Sequence, residues 1–210
     1  MSANEQHNET LAARAPGRPR DQVAHDAILD AGLSLLEEQC YSEITIEKIA
    51  ARAGVGKPTI YRRWKTKAEV LLEAYAQRVA RSKPPYFPSE DAYSDLVEYM
   101  MRMFALTSHP GSNRMLRCFI AEAQHDEQFR ARFFELFLAN RRKSLFEVFE
   151  HGKAIGQVRA DLDHELFADL IHGAFTARLM TCHAPIDRAF AEKLVAALRP
   201  AMVPARAAAA

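Results

Sequence analysis

The side chains with the most evident chemistry crowd into one short stretch. Between Lys48 and Ala68 there are seven lysines and arginines and no aspartate or glutamate, whereas residues 1–81 as a whole carry twelve basic and eleven acidic residues. The 210-residue chain has a net charge of +1, so bulk electrostatics selects no partner. A basic patch inside a neutral protein is the footprint of a local phosphate contact. Arginine and lysine can donate to O6 and N7 of guanine, and a threonine methyl can meet the methyl of thymine. Lys57, Thr59, Arg62 and Arg63 are therefore candidates for reading bases. Tyr61, Lys65 and Lys67 are better placed as phosphate contacts, which position a protein without reading sequence.

Other chemistries find less support. His151, His164, His172 and His183 lie in the C-terminal half, but none pair at i, i+4 around a glutamate, and there is no glycine-rich phosphate loop. A metal enzyme is thus a weak rival, and no metal, cofactor or catalytic residue is expected. Cys40, Cys118 and Cys182 are odd in number and in no ligand spacing. That argues against a disulfide framework or zinc site and fits a reducing cytoplasm. Residues 1–20 lack the apolar core of a signal peptide. No apolar run approaches the roughly 20 residues that span a bilayer, so a cytoplasmic protein with no membrane contact is expected.

The elements that must hold these side chains are helices. Nearly half the residues, 49%, are hydrophobic, enough to bury a real core. They recur at helical spacing with no sustained β alternation, which predicts an all-α chain of about nine helices. The first runs from about Asp21 to Gln39, with Ala24, Ile28, Ala31 and Leu35 on one face and Gly32 marking a close approach. Thr45 can cap the second by accepting an orphan N–H; Ile46, Ile49, Ala50 and Ala53 form its buried stripe, and Gly54 is its stop. The third covers about Lys57 to Trp64, with Pro58 in its first turn, and the fourth about Lys67 to Ser82. Lys83–Pro88 is a proline-rich hinge. Beyond it, a helix capped by Ser89 reaches about Thr107 and His109-Pro110-Gly111-Ser112 breaks the pattern. Helices follow at about Asn113–Gln124, Glu127–His151, Asp163–Cys182 and Asp187–Arg199, the last two capped by Asp163 and Asp187, and the alanine-rich end after Pro200 should fray. The hinge divides the chain, after a disordered basic tail (1–20), into a small N-terminal unit (21–82) and a larger C-terminal one (83–210).

Two short helices separated by Gly54-Val55-Gly56 form a helix-turn-helix pattern, in which the first helix braces across the backbone and the second enters the major groove. Val55, Ile60 and Trp64 would anchor the pair on the first helix. The candidate DNA-binding set is Thr45, Lys57, Pro58, Thr59, Tyr61, Arg62, Arg63, Lys65 and Lys67. These residues resemble the tetracycline-repressor (TetR) family. The match lies in Ile28-Leu29-Asp30-Ala31, Thr45 before Ile49-Ala50, Ala53-Gly54-Val55, Thr59-Ile60-Tyr61 and Lys65-x-Lys67, over about Ala27 to Tyr75. Further on it thins to a pattern of helices and the loop Gly156-Gln157-Val158-Arg159-Ala160-Asp161. The resemblance implies a homodimer, a small-molecule effector pocket in the second domain and, usually, repression of a nearby operon. Cys40 stands where the family commonly ends a helix with glycine, so a different or a strained cap on the first helix is expected. Gly56 replaces the commoner serine cap, and Trp64 a phenylalanine.

Upstream, Pro16-Gly17-Arg18-Pro19-Arg20 resembles an AT-hook core, whose Arg18 and Arg20 would lie in a narrow minor groove of enhanced negative potential; an unspecific basic tail is the alternative. Residues 96–150 are dense in phenylalanine and methionine, as apolar ligand pockets are. Met100, Met103, Phe104, Phe119, Phe133 and Phe137, with Asn140 and Ser144 as polar groups, form the candidate pocket for an apolar or aromatic effector; plain core is the alternative for each. Leu162, Leu166, Leu170, Ala174 and Phe175, then Phe190, Leu194 and Leu198, suit a two-fold four-helix interface or a cap on the subunit's own core. The function expected is an effector-released regulator of a palindromic double-stranded operator; the alternative is a helix-turn-helix-shaped protein-interaction module that binds no operator.

Overall fold

Apolar side chains at helical spacing decide how the N-terminal third folds. In α1 (Arg20–Glu38), Ile28, Leu29, Ala31, Leu35 and Leu36 are all buried. Gly32 lets α4 close in, since a Cβ there would stand 3.1 Å from Leu71 Cδ2. After a single 3-10 turn at Tyr41–Glu43, α2 (Ile46–Ala53) starts on Thr45, whose hydroxyl accepts the Lys48 amide at 3.3 Å. It stops at Gly54, left-handed with φ 66°. Helix α3 (Lys57–Tyr61) follows an extended Gly56 that provides no side-chain cap. It is shorter than its apolar spacing predicts, but its ladder continues through Trp64 N to Ile60 O at 3.0 Å, and Trp64 reaches the core at 1% exposure. Helix α4 (Lys67–Ser82) packs on α1 and runs on against the second half of the chain. Cys40 is extended, with φ −68°, so of the two expected outcomes the strained one is not there. A positive φ on a non-glycine residue falls instead at Cys182, φ 53°.

The structure is a computed structural model that describes residues 20–82, 86–107 and 110–204, and among these every regular element is a helix. Helix α5 (Ala92–Ala105) is capped by Asp91, not Ser89: the Asp91 carboxylate accepts the Tyr93 amide at 3.0 Å, while the Ser89 amide donates to buried Asp95. Helix α6 (Pro110–His125) begins inside the stretch read as a break, because proline lacks only an N–H that a first turn leaves unpaired. Helix α7 (Glu127–Phe133), a π-helical turn at Phe134–Leu138 and α8 (Ala139–Ala154) form one continuous rod. Helices α9 (His164–Thr181) and α10 (Arg188–Met202) start on Asp163 and Asp187, which accept the amides of Leu166 at 3.0 Å and Phe190 at 2.9 Å. Counting the α7–α8 rod once, the described residues hold nine helices.

Helix α10 continues through Pro200, and Met202 beyond it is buried, its carbonyl accepting the Arg159 amide at 2.8 Å. The first residues after Pro200 are therefore docked, not frayed. Helix α5 packs on α8 and α10, and the loop before α9 returns to close it: Gln157 accepts the Ala92 amide and donates to the Glu90 carbonyl, both at 2.8 Å. Helix α4 touches α6, α7 and the π turn, so one continuous core runs from the helix-turn-helix into the C-terminal helices.

Candidate nucleic-acid interface and internal cavity

The seven basic residues of the acid-free stretch divide by direction. Lys57, Arg62 and Lys65 are exposed, as are Thr45, Pro58 and Tyr61, the last at 53%, while Thr59 is half-buried. Lys57 Nζ meets Glu47 at 3.1 Å and Arg62 Nη2 meets Asp21 at 3.1 Å. Ion pairs this exposed are weak, so phosphate oxygens can displace the carboxylates. Lys48 and Arg52 are exposed as well, but they and the half-buried Arg63 and Lys67 bond back onto the fold. Lys48 donates to Gln39 at 2.7 Å and to the Glu43 carbonyl at 2.8 Å, and Arg52 pairs with Glu38 through both terminal nitrogens. Arg63 pairs with Asp21 and meets His25 Nδ1 at 2.9 Å. Lys67 departs furthest from a phosphate contact. Its ammonium donates to the carbonyls of Tyr41 and Ile44, each at 2.9 Å, and lies 4.4 Å from the Tyr41 ring centre, with burial pushing its pKa down. Arg18 lies outside the described residues, as does the side chain of Arg20.

Glu73 on α4 gathers three other elements. One of its oxygens accepts Trp64 Nε1 at 2.9 Å and Arg132 Nη2 at 3.2 Å; the other faces His25 Nε2 at 3.3 Å. The His25 ring stacks on Trp64 with centroids 5.2 Å apart. Because arginine only donates, Arg63 requires a lone pair on His25 Nδ1, which places the ring proton on Nε2, towards Glu73. Lys65 Nζ reaches Gln128 at 2.8 Å. Gln128 and Arg132 are one turn apart on α7, so the segment trailing α3 and the N-terminal half of α4 are tied to α7 at two points.

A cavity of about 700 Å³ opens where α4, α5 and the π turn meet α8. Of the eight expected pocket residues, Met103, Phe137, Asn140 and Ser144 line it. Met100, Phe119 and Phe133 are buried in the core away from that lining, and Phe104 faces a separate hollow beside Arg178 and Cys182. The lining residues that sequence reasoning missed are tyrosines and arginines, chiefly Tyr75, Tyr86, Tyr99, Arg78, Arg102 and Arg141. Counting phenylalanine and methionine could not find them, because an arginine on an amphipathic helix ordinarily marks the solvent face. Each tyrosine is anchored: Tyr75 donates to the Leu106 carbonyl at 2.9 Å, Tyr86 to Asp95 at 2.9 Å and Tyr99 to the Arg141 carbonyl at 3.1 Å. Tyr99 also meets His172 Nε2 at 2.7 Å, and burial holds the His172 pKa down to about 4.

Two family models cover these two regions. Residues 28–74 match the bacterial regulatory proteins of the tetR family, and residues 88–198 match the tetracyclin repressor-like C-terminal domain. The chain belongs to the TetR family. It is 32% identical over 180 residues to the HTH-type transcriptional regulator YdeS of Bacillus subtilis, covering 85% of this chain and 89% of that one. It is 29% identical, also over 180 residues, to the DNA-binding transcriptional repressor TetR of Mycobacteroides abscessus, covering 84% and 92%. The crystal structure of the TetR family transcription regulator SCO0332 superimposes with a TM-score of 0.72 at 28% identity, covering 86% and 99%. As a TetR-family member the chain is a DNA-binding transcriptional regulator and not an enzyme.

In this TetR-family chain the apolar stripes of the last two helices separate into two sets. Leu162, Phe175 and Phe190 are buried within the subunit, and Ala174, Leu194 and Leu198 pack partly against its core. Leu166, Leu170 and Met180 stay exposed on α9, and nothing lies within 4 Å of a Cβ placed on Gly173. Among the described residues no group of three or more His, Cys, Asp or Glu is arranged to hold a metal, and no helix is long and apolar enough to cross a membrane.

Proposed function

We propose that the chain is a cytoplasmic repressor that sits as a homodimer on a palindromic operator and leaves it when a small apolar or aromatic effector fills the cavity. The observation that carries this reading is the α7–α8 rod. Its π turn presents Phe137 to the cavity, while Gln128 and Arg132, at its other end, hold Lys65 and the Glu73 cluster beside the recognition helix. A ligand that rearranges the π turn therefore acts on the placement of α3, and it shifts DNA affinity by its differential affinity for the two placements.

The division of labour follows the same line: residues 21–82 grip DNA, and residues 83–210 hold the partner subunit and, together with Tyr75 and Arg78 of α4, the effector. Lys57, Thr59, Tyr61, Arg62 and Lys65 are the contacts with the duplex in this reading, with Thr45 and Pro58 at its edge. Arg18 and Arg20 extend the grip into an adjacent minor groove. The exposed Leu166–Leu170–Met180 face of α9 supports a two-fold interface, which a palindrome demands because two recognition helices must enter major grooves about 34–36 Å apart.

Selection of bound genomic fragments with the purified protein tests the reading. A palindrome with half-sites one helical turn apart is expected, lost on Leu170→Glu together with the dimer in light scattering. Removal of residues 1–20 should weaken binding at matched salt. Fragments without a shared sequence, or full binding by a monomer, would overturn it.

A further inference from the structure

The inner wall of the cavity holds a guanidinium with two unpartnered nitrogens. Arg141 lines the cavity, yet its Nε and Nη2 are shielded from solvent and have no hydrogen-bond acceptor. A guanidinium has five N–H donors and accepts nothing, and a buried charge with unmet donors is among the costlier arrangements a core can hold. Its nearest company is aromatic: the guanidinium carbon lies 3.9 Å from the Phe137 ring centre and 5.9 Å from that of Phe175. Ring faces attract a cation but offer no in-plane acceptor. Glu37 is the one acid among the described lining residues; it is largely exposed and pairs with Arg78 at 3.2 Å. The lining therefore carries three arginines against one carboxylate. Burial lowers the Arg141 pKa to about 10, which still leaves it charged at neutral pH.

The two unmet nitrogens have a specific meaning. Nε–H and Nη2–H point the same way and form the edge that grips both oxygens of a carboxylate. Arg159 uses that same pair to hold Asp161, with both contacts at 2.6 Å. The Tyr99 hydroxyl donates to the Arg141 carbonyl at 3.1 Å; the free edge is shielded as it stands, so clasping a ligand in the cavity requires a turn about the side-chain torsions.

We propose that the effector is a carboxylate, its head clasped by Arg141 and its apolar or aromatic body lying against Phe137 and Met103. This rests on the cavity being the effector site and adds the ligand's charge and orientation. Nε and Nη2 of Arg141 are kept buried and unpaired in the free protein because the ligand supplies the acceptor.

The test uses matched pairs on the purified full-length protein: 2-naphthoate against 2-naphthamide, and 4-phenylbutyrate against 4-phenylbutyramide. Affinity is measured by calorimetry, and release by displacement from operator DNA. The carboxylate of at least one pair is expected to bind tenfold or more tightly than its amide, and Arg141→Met to erase that preference. Arg141→Met should also raise the thermal midpoint of the free protein, because it removes unmet charged donors; Arg141→Gln serves as a second variant. Equal or tighter binding of the amides, binding by neither class, or a preference that survives Arg141→Met overturns the proposal. Carboxylates that bind without releasing DNA leave the anion site standing and remove the effector reading; release by the amides does the reverse.

Discussion

Arg132 on α7 and Glu73 on α4 meet at 3.2 Å, and the same Glu73 oxygen accepts the indole N–H of Trp64. The C-terminal helices are thereby bonded to the residue that closes the recognition segment. Glu73→Ala leaves Trp64, His25 and Arg132 short of an acceptor and is expected to cost about 1–3 kcal/mol of folding stability. Arg132→Ala cuts only the α7 branch. It should leave ligand affinity within about twofold while reducing the effect of ligand on DNA affinity, a coupling that is typically about 1–3 kcal/mol. Parallel ligand and operator titrations of the variant and the parent decide this; unchanged coupling would mean that the signal travels elsewhere.

The inward and outward lysines should part company when salt is varied. Lys57→Met or Lys65→Met removes a cation that faces solvent, so the slope of log affinity against log salt should fall by about 0.9 for each phosphate that the variant leaves unneutralised. Lys67→Met instead strips two carbonyls of their donor and should lower the melting midpoint with little change in slope. A slope that falls as much for Lys67→Met as for Lys57→Met would put its ammonium on the DNA after all.

Helix α8 passes the loop before α9 with no room to spare at Gly152. A Cβ there would lie 2.6 Å from Val158 Cγ2 and 3.0 Å from the Ala92 Cβ. Overpacking of this kind costs about 1–3 kcal/mol, so Gly152→Ala should lower the urea midpoint, and Val158→Ala in the same chain should recover part of the loss. If the single variant is as stable as the parent, the loop is looser than its hydrogen bonds imply.

Acid should destabilise the fold through His172. Burial, helped by the positive charge of Arg141 and Arg142, holds its pKa near about 4 in the folded chain against 6.5 when unfolded. The unfolded chain therefore takes up the proton first. The stabilising contribution is complete above pH 6.5 and is lost as pH falls towards 4, to a total of about 3 kcal/mol. His172→Gln keeps a hydrogen-bonding group beside Tyr99 but cannot titrate. Its unfolding free energy should fall less steeply over that window, and identical pH curves for the two proteins would exclude His172 as the source.

Local features were legible in the sequence. Thr45, Asp163 and Asp187 cap the helices they precede, because a cap needs only a short polar side chain and an amide three residues on. Ser89 misled because Asp91, two residues later, does the same work with a charged acceptor. Side-chain direction was less legible. Arg63 turns to residues 38 and 42 positions away, and Lys67 to carbonyls 23 and 26 positions away, so no window on the basic run could separate them from Arg62 or Lys57. The cavity was half legible for a related reason. Phe133 and Phe137 are alike by composition and spacing, and only the packing of α4 and α5 decides that Phe137 faces a void.

The π turn at Phe134–Leu138 sets the phase between the two ends of its rod. Gln128 and Arg132 before it address the DNA-reading half, and Phe137, Arg141 and Ser144 address the hollow. Each residue of an α-helix advances the side chains by about 100°. Deleting one residue within the turn would therefore swing Arg141 about a quarter-turn relative to Arg132, and no single substitution could bring both back into line. Sensing and gripping thus share one gear train, and its tooth count is fixed at this bulge.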